Sequence, residues 1–259
     1  MIPAKRLPAQ PARWQQLWRE AISDPRELLQ LLDLSHLADT LLASADTDFA
    51  LRVPRGFVAR MRRGDASISE VILSGGDPLS LSTPKLAELT GALADIGHVR
   101  RLRIHTRLPV VLPERVDTEL LAWLGGLRFQ RVVVLHANHA NELDGSVAAA
   151  CADLREAGAT VLNQSVLLRA VNDDVDALQA LSERLFECGV LPYYLHQLDR
   201  VQGAAHFEIA DARALALVTE LAARVPGYLV PRLVREVAGA PAKMPLPVNG
   251  PMEIQVRIR

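Results

Sequence analysis

From Glu70 onward, apolar and polar positions alternate in blocks with a steady step. Short apolar runs, each the length of a buried strand, begin near Val71 (VIL), Leu102 (LRI), Val132 (VVV), Val161 (VLN) and Pro192 (PYY), at successive intervals of 31, 30, 29 and 31 residues. Helix-patterned stretches fill the gaps: PKLAELTGALADI, DTELLAWLGGL, GSVAAACADLREAG and DALQALSERLFECG. Strand plus helix at this spacing marks repeated βα units and a parallel sheet. Right-handed crossovers wind such units into a barrel or an open doubly wound sheet. Five parallel strands are therefore predicted near 71–73, 102–105, 131–136, 160–165 and 192–196, with the helices on one outer face. Thr83 is the predicted N-cap of the first of these helices, with Pro84 at its first position.

The chain before Glu70 is patterned differently. Residues 1–12 are rich in Pro and Ala, and 13–22 (RWQQLWREAI) read as helix. Asp24, Pro25 and Glu27 form a helix-start signal, and Leu28, Leu29, Leu31, Leu32 and Leu34 give the helix a wide apolar face. LADTLLASA continues the helical layer until Val53-Pro54-Arg55-Gly56 breaks it. In FVARMRRGD, Arg60, Arg62 and Arg63 read as a solvated basic helix end, or else as a contact for a phosphate or a partner protein. The organisation predicted is an N-terminal helical region over 1–65 and a β/α region over 66–259.

The residues just past each strand carry the chemistry. These ends read SGGD (74–77), HTR (105–107), HANHANE (136–142), NQS (163–165) and HQLD (196–199). In a parallel β/α barrel the site sits at the C-terminal ends of the strands, so five polar ends describe one large polar site. Gly75 and Gly76 allow a sharp turn and close approach of a ligand, and Asp77 can accept hydrogen bonds. Any one of these residues alone reads as a satisfied structural group, and it is the set that points to function. The C-terminal stretch GYLVPRLVREVAGAPAKMPLPVNG starts like a strand, then places a single lysine, Lys243, among Gly239, Pro241, Pro245 and Pro247. Lys243 reads as a surface lysine, or as one held near apolar surface and able to form a Schiff base.

Composition narrows the classes. The chain has 259 residues, 49% of them hydrophobic but only 4% aromatic, so Leu, Val and Ala must fill the core. A net charge of −1 gives no bulk case for nucleic acid or a membrane surface. No apolar run approaches a membrane span and MIPAKRLPAQ lacks a signal-peptide core, so the expected compartment is the cytoplasm. The two cysteines, Cys151 and Cys188, read as buried thiols in helical segments with no metal motif.

The stretches EVILSGGDPLSLS, RLRIHTRLPVVLPERV, VVVLHANHANELD, LNQSVLLRAVNDD, LPYYLHQLDRVQGAAHF and YLVPRLVREVAGAPAK resemble the lysine 2,3-aminomutase family. The likeness runs from Glu70 to about Pro247 and is greatest to the short bacterial branch, the elongation factor P β-lysylation proteins. It implies a radical S-adenosylmethionine barrel whose [4Fe–4S] cluster generates a 5′-deoxyadenosyl radical, and whose pyridoxal phosphate holds lysine while an amino group migrates. Carried over by motif, Lys243 is the pyridoxal phosphate lysine. Ser74, Gly75, Gly76 and Asp77 match the loop beside S-adenosylmethionine, and His136 and Gln164 match two further residues lining that cofactor. Asp199 matches an acid near the substrate's distal amine, and Glu236 falls where longer members have a second acid.

The resemblance breaks at the cluster. The family's C-x-x-x-C-x-x-C loop is absent, and the chain runs from Gly64-Asp65 through Ala66 straight into EVILSGG. The expectation is thus a partial barrel lacking its first βα unit and the arginines that follow the family's cysteines, and a chain inactive in radical chemistry. The alternatives are a non-catalytic binding protein retaining a pyridoxal phosphate or S-adenosylmethionine pocket, and a cluster-free pyridoxal phosphate enzyme such as a racemase. An exposed edge on the strand at Val71 would invite pairing with another chain, as in a homo-oligomer.

Overall fold

The computed structural model describes residues 20–22, 24–31, 67–199, 203–237, 240 and 242–246. Most of the helix expected over 13–22 lies outside the described residues. So do Arg60, Arg62, Arg63, the Asp65/Ala66 junction, Ala238, Gly239, Pro241 and Pro247. The chain divides into two compact units, Met1–Val71 with Pro84–Arg100, and Ile72–Thr83 with Arg101–Arg259.

In the first unit, helix α1 (Pro25–Leu31) starts where the pattern puts it. The Asp24 carboxylate accepts from the Arg26 N–H at 2.8 Å, satisfying a helix-end donor. Helix α2 (Thr83–Ala94) begins one residue before the expected position. Its buried face carries Leu86, Thr90 and Leu93, at i, i+4 and i+7. The Thr90 hydroxyl donates to the Leu86 carbonyl at 2.8 Å, which lets a polar residue stay buried there.

The strands form one sheet in strictly sequential order, β1 (Glu70–Leu73), β2 (Arg101–His105), β3 (Gln130–Leu135), β4 (Ala159–Val166), β5 (Leu191–His196), β6 (Arg232–Arg235) and β7 (Met244–Pro245). β2 to β6 pair parallel, and β7 returns antiparallel to β6. An order that never reverses has no switch point. Right-handed crossovers then place the helices that join β2 to β6 on one face, which selects a partial β/α barrel over a doubly wound sheet. Helices α3 (Thr118–Gly126), α4 (Gly145–Glu156), α5 (Val175–Glu187) and α6 (Asp211–Arg224) supply those crossovers. Aspartates cap three of them: Asp117, Asp144 and Asp174 accept from N–H groups of the first turn.

Among the described residues the sheet has seven strands where the thirty-residue step predicts five. β6 escapes that step because it starts 41 residues after β5 (191 to 232), beyond an extended loop and α6. Helix α6 buries Ala214, Leu217, Val218 and Leu221, a helical stripe that packs with Leu195 and Leu233 into one apolar cluster. Between β4 and β5 the register slips, from Asn163 opposite Pro192 to Gln164 opposite Tyr194. Tyr193 is the extra residue of this bulge, which throws it onto the side of its neighbour. The Tyr193 and Tyr194 rings lie 3.8 Å apart, with their hydroxyls 3.1 Å from each other.

Candidate functional site

All of the site lies in the second unit, as a cleft of about 570 Å³ at the C-terminal ends of the strands. Ile72 belongs to β1, Ser74, Gly75, Gly76 and Asp77 follow it, Arg103, His105, Thr106 and Arg107 belong to β2 and its end, and His136, Gln164, Glu236 and Lys243 complete the lining. Gly75 and Gly76 take φ of +92° and +62°, the left-handed region that side chains disfavour, and a Cβ on Gly75 would meet only open space. Asp77 fixes this loop to β2. Its Oδ1 accepts from the Leu79 N–H at 3.0 Å and the Thr106 hydroxyl at 2.6 Å, and its Oδ2 from the N–H groups of Arg107 at 2.6 Å and Leu108 at 3.2 Å. Four donors use the capacity of one carboxylate, so Asp77 borders the cleft as the clamp that shapes it.

Strand alternation sorts the remaining polar ends into two groups. Asn163 and Ser165 turn away from the cleft. The Asn163 amide exchanges hydrogen bonds with both backbone groups of Ala137 at 2.8 and 3.0 Å, and Ser165 joins them. Asn138, Asn172 and Gln197 likewise serve backbone groups or a neighbouring carboxylate. Not every polar strand end faces a ligand, because loops buried beside the sheet need partners of their own. Gln164 and His136 point into the cleft, 2.6 Å apart between Nε2 atoms, and His105 meets His136 edge-on at 6.2 Å. His105 Nε2 and Gln164 Oε1 are buried with no partner among the described residues, as expected of groups built to meet a ligand.

The C-terminal hairpin brings in Lys243. β6 and β7 pair Val234 with Pro245 and Arg235 with Met244, so one step further places Glu236 opposite Lys243. Their side chains meet at 2.5 Å, and Lys243 Nζ also lies 3.3 Å from His196 Nε2 and 5.5 Å from the centre of the Tyr194 ring. This corrects the apolar setting expected for Lys243, since antiparallel pairing gives it a carboxylate partner. The hydrogen bond from Lys243 holds Glu236 below the usual carboxylate range. Asp199 lies past β5 and does not line the cleft, although partial burial and then Glu236 push its carboxyl upward.

Burial is the first reason that the histidines stay neutral. It lowers His105 to about 4, with Arg103 adding to the effect, and His196 to about 4, with Lys243 adding. His136 is lowered by burial and then by Arg107. A neutral His196 can accept from Lys243 through Nε2, which assigns its proton to Nδ1. The unfolded chain takes up a proton at His196 below 6.5, whereas the folded one resists until about 4. Stability should therefore fall as pH drops from about 6.5 to about 4, His196 contributing about 2–3 kcal/mol and His105 acting in the same direction. Urea unfolding at intervals between pH 7 and 4 should show a steeper loss for the native protein than for His196→Gln. Parallel curves would contradict the assignment.

The structure thus gathers Ser74, Gly75, Gly76, Asp77, His136, Gln164, Glu236 and Lys243 and leaves Asp199 at the margin. It brings His105, Thr106 and Arg107 of the HTR end to the lining as expected, adds Arg103 to it, and makes His196 of the HQLD end and Tyr194 partners of Lys243. Arg103 was readable from the two-residue period that puts it on the face of His105. Cys151 and Cys188 are free and buried in the helical layer.

No family model matches the chain. The L-lysine 2,3-aminomutase of Haemophilus influenzae is 52% identical over 178 residues, covering 69% of this chain and 53% of that protein. That of Escherichia coli is 50% identical over 179 residues, with coverages of 69% and 52%. That of Clostridium subterminale is 37% identical over 188 residues, with coverages of 72% and 45%. The chain spans about half the length of the curated relatives it matches. Among solved structures, a radical SAM methyltransferase from Sphaerobacter thermophilus aligns with a TM-score of 0.48 at 20% identity, covering 69% of this chain and 55% of that one.

Proposed function

The chain belongs to the lysine 2,3-aminomutase family, and from that premise we propose that the strand-end cleft is a cofactor and lysine site kept without the means to hold an iron–sulfur cluster. The observation that carries this reading is the convergence of Lys243 with the Gly75-Gly76 turn, His136 and Gln164 in one cleft. Lys243 is the residue that would take pyridoxal phosphate, and Arg103 and Arg107 line the same cleft and would bring positive charge toward its phosphate. Ser74, Gly75, Gly76, His136 and Gln164 would border S-adenosylmethionine, where the unpartnered Gln164 Oε1 and His105 Nε2 fit a polar ligand. Bound pyridoxal phosphate supplies an electron sink for an amino acid.

The chain's own residues do the rest. Glu236 and neutral His196 hold the Lys243 side chain, and with Lys243 engaged by the cofactor Glu236 would be left, with Asp199 at the margin, to meet the distal ammonium of lysine. A [4Fe–4S] cluster does not fit the residues of this sequence. It has two cysteines, both buried, and no group of three His, Cys, Asp or Glu among the described residues could hold a metal ion. We therefore assign this chain binding of cofactor and lysine without radical chemistry. Titration with pyridoxal phosphate should give a saturable absorbance band of lysine-bound cofactor that Lys243→Ala lacks. Identical titrations of the two proteins would contradict the reading.

A further inference from the structure

We propose that the opposite mouth of the sheet, where β2, β3 and β4 begin, is a second binding site that takes a phosphate-class oxyanion. A cavity of about 550 Å³ opens there, within the size range of small-molecule sites. Arg101, Arg128 and Arg131 line it together with Gln130 and Thr160, and among the described residues no carboxylate is in its lining.

The register explains how three guanidinium groups come to one mouth. Arg101 pairs with Gln130, and Val132 with Thr160, so these side chains share a face of the sheet. Arg131 leaves on the other face, and Arg128 stands in the turn ahead of β3, its guanidinium 4.4 Å from the centre of the Phe129 ring. Arg131 is pinned rather than free to swing. Its Nη1 donates to the carbonyls of Leu124 at 2.9 Å and Gly125 at 2.8 Å, which end α3. The guanidinium lies across Gly158, where an added Cβ would stand 3.2 Å from Nη2 and where φ is +84°. Arg131 Nε remains buried with no partner among the described residues.

A concave, positively charged mouth with amide and hydroxyl donors concentrates anions. Planar guanidinium forks match phosphate oxygens in particular. Nothing in the strand-end cleft uses these residues, which lie at the other end of the same strands. The cavity exceeds one phosphate ion, so the group could arrive free or as a phosphate monoester, and the two sources separate in the test.

Calorimetric titration of the full chain at low ionic strength, with inorganic phosphate and separately with ribose 5-phosphate, tests the proposal. Saturable one-to-one binding of either is expected, weakened at least tenfold in Arg128→Gln and in Arg101→Gln and retained in Lys243→Ala. Tighter binding of ribose 5-phosphate would identify a phosphorylated small molecule, and equal binding would identify the free ion. Absence of saturable binding to the native protein would overturn the site. So would binding that survives the double variant, or binding lost in Lys243→Ala, which would move the anion to the strand-end cleft. A purely structural role for the arginines predicts melting temperatures lowered equally with and without phosphate, and that result would overturn it as well.

Discussion

Incubated anaerobically with iron, sulfide, reductant and S-adenosylmethionine, this chain should retain no stoichiometric [4Fe–4S] cluster and release no 5′-deoxyadenosine above a protein-free control. A cluster that opens one iron to a substrate still needs three protein thiolates, and the sequence offers two cysteines. Neither is placed or poised to serve. Cys151 is fully buried in α4, where burial and then Cys188 push its thiol up to about 12. Cys188 caps the end of α5, is 5% exposed and is likewise raised by burial. A ligand must be a thiolate, and burial in apolar surroundings opposes its formation. Both side chains also belong to the helical layer, away from the strand ends that line the cleft. Release of 5′-deoxyadenosine in proportion to protein would contradict this account at its chemical centre.

The second large effect is expected at Asp77. Its carboxylate gathers the Leu79, Arg107 and Leu108 N–H groups and the Thr106 hydroxyl, at 2.6–3.2 Å. Asp77→Ala leaves these donors without their acceptor at once. Hydrogen bonds to a charged group contribute about 1.5–3 kcal/mol each when removed singly, though they do not add. A total loss of about 3 kcal/mol is expected, read as a lower urea midpoint with an unchanged slope. Asp77→Asn keeps one carbonyl oxygen and should lose less. If Asp77 served only a ligand, the apo protein would unfold at the same midpoint in all three forms.

Much of this architecture was legible in the sequence because its signals are local. The five periodic strands fall within a residue or two of their predicted places, and the caps at Asp24 and the α2 start follow from short-range hydrogen bonding. The period alone also fits a doubly wound sheet; the partial barrel was legible through the family resemblance, and the sequential strand order bears it out. β6 lies off the period but was marked by the strand-like start of GYLVPRLV, whereas α6 escaped because a long loop breaks the period, although Ala214, Leu217, Val218 and Leu221 carry a plain helical stripe.

At the site, composition could mark polar strand ends but not sort them. Asn163 and Gln164 are neighbours in sequence, yet one secures the Ala137 backbone and the other faces the cleft. The Lys243–Glu236 pair was the least legible feature. It depends on the β6–β7 register, which a two-residue strand leaves almost unmarked in sequence. His196 was visible only as part of a polar end, because its contact with Lys243 joins positions 47 residues apart.

The central claim, that the cleft keeps a cofactor lysine, is tested most directly by reductive trapping. The protein is mixed with pyridoxal phosphate, reduced with borohydride and digested, and the labelled peptide is mapped. The account predicts label concentrated on Lys243 and lost in Lys243→Ala. Label spread evenly over Lys5, Lys85 and Lys243 would contradict it.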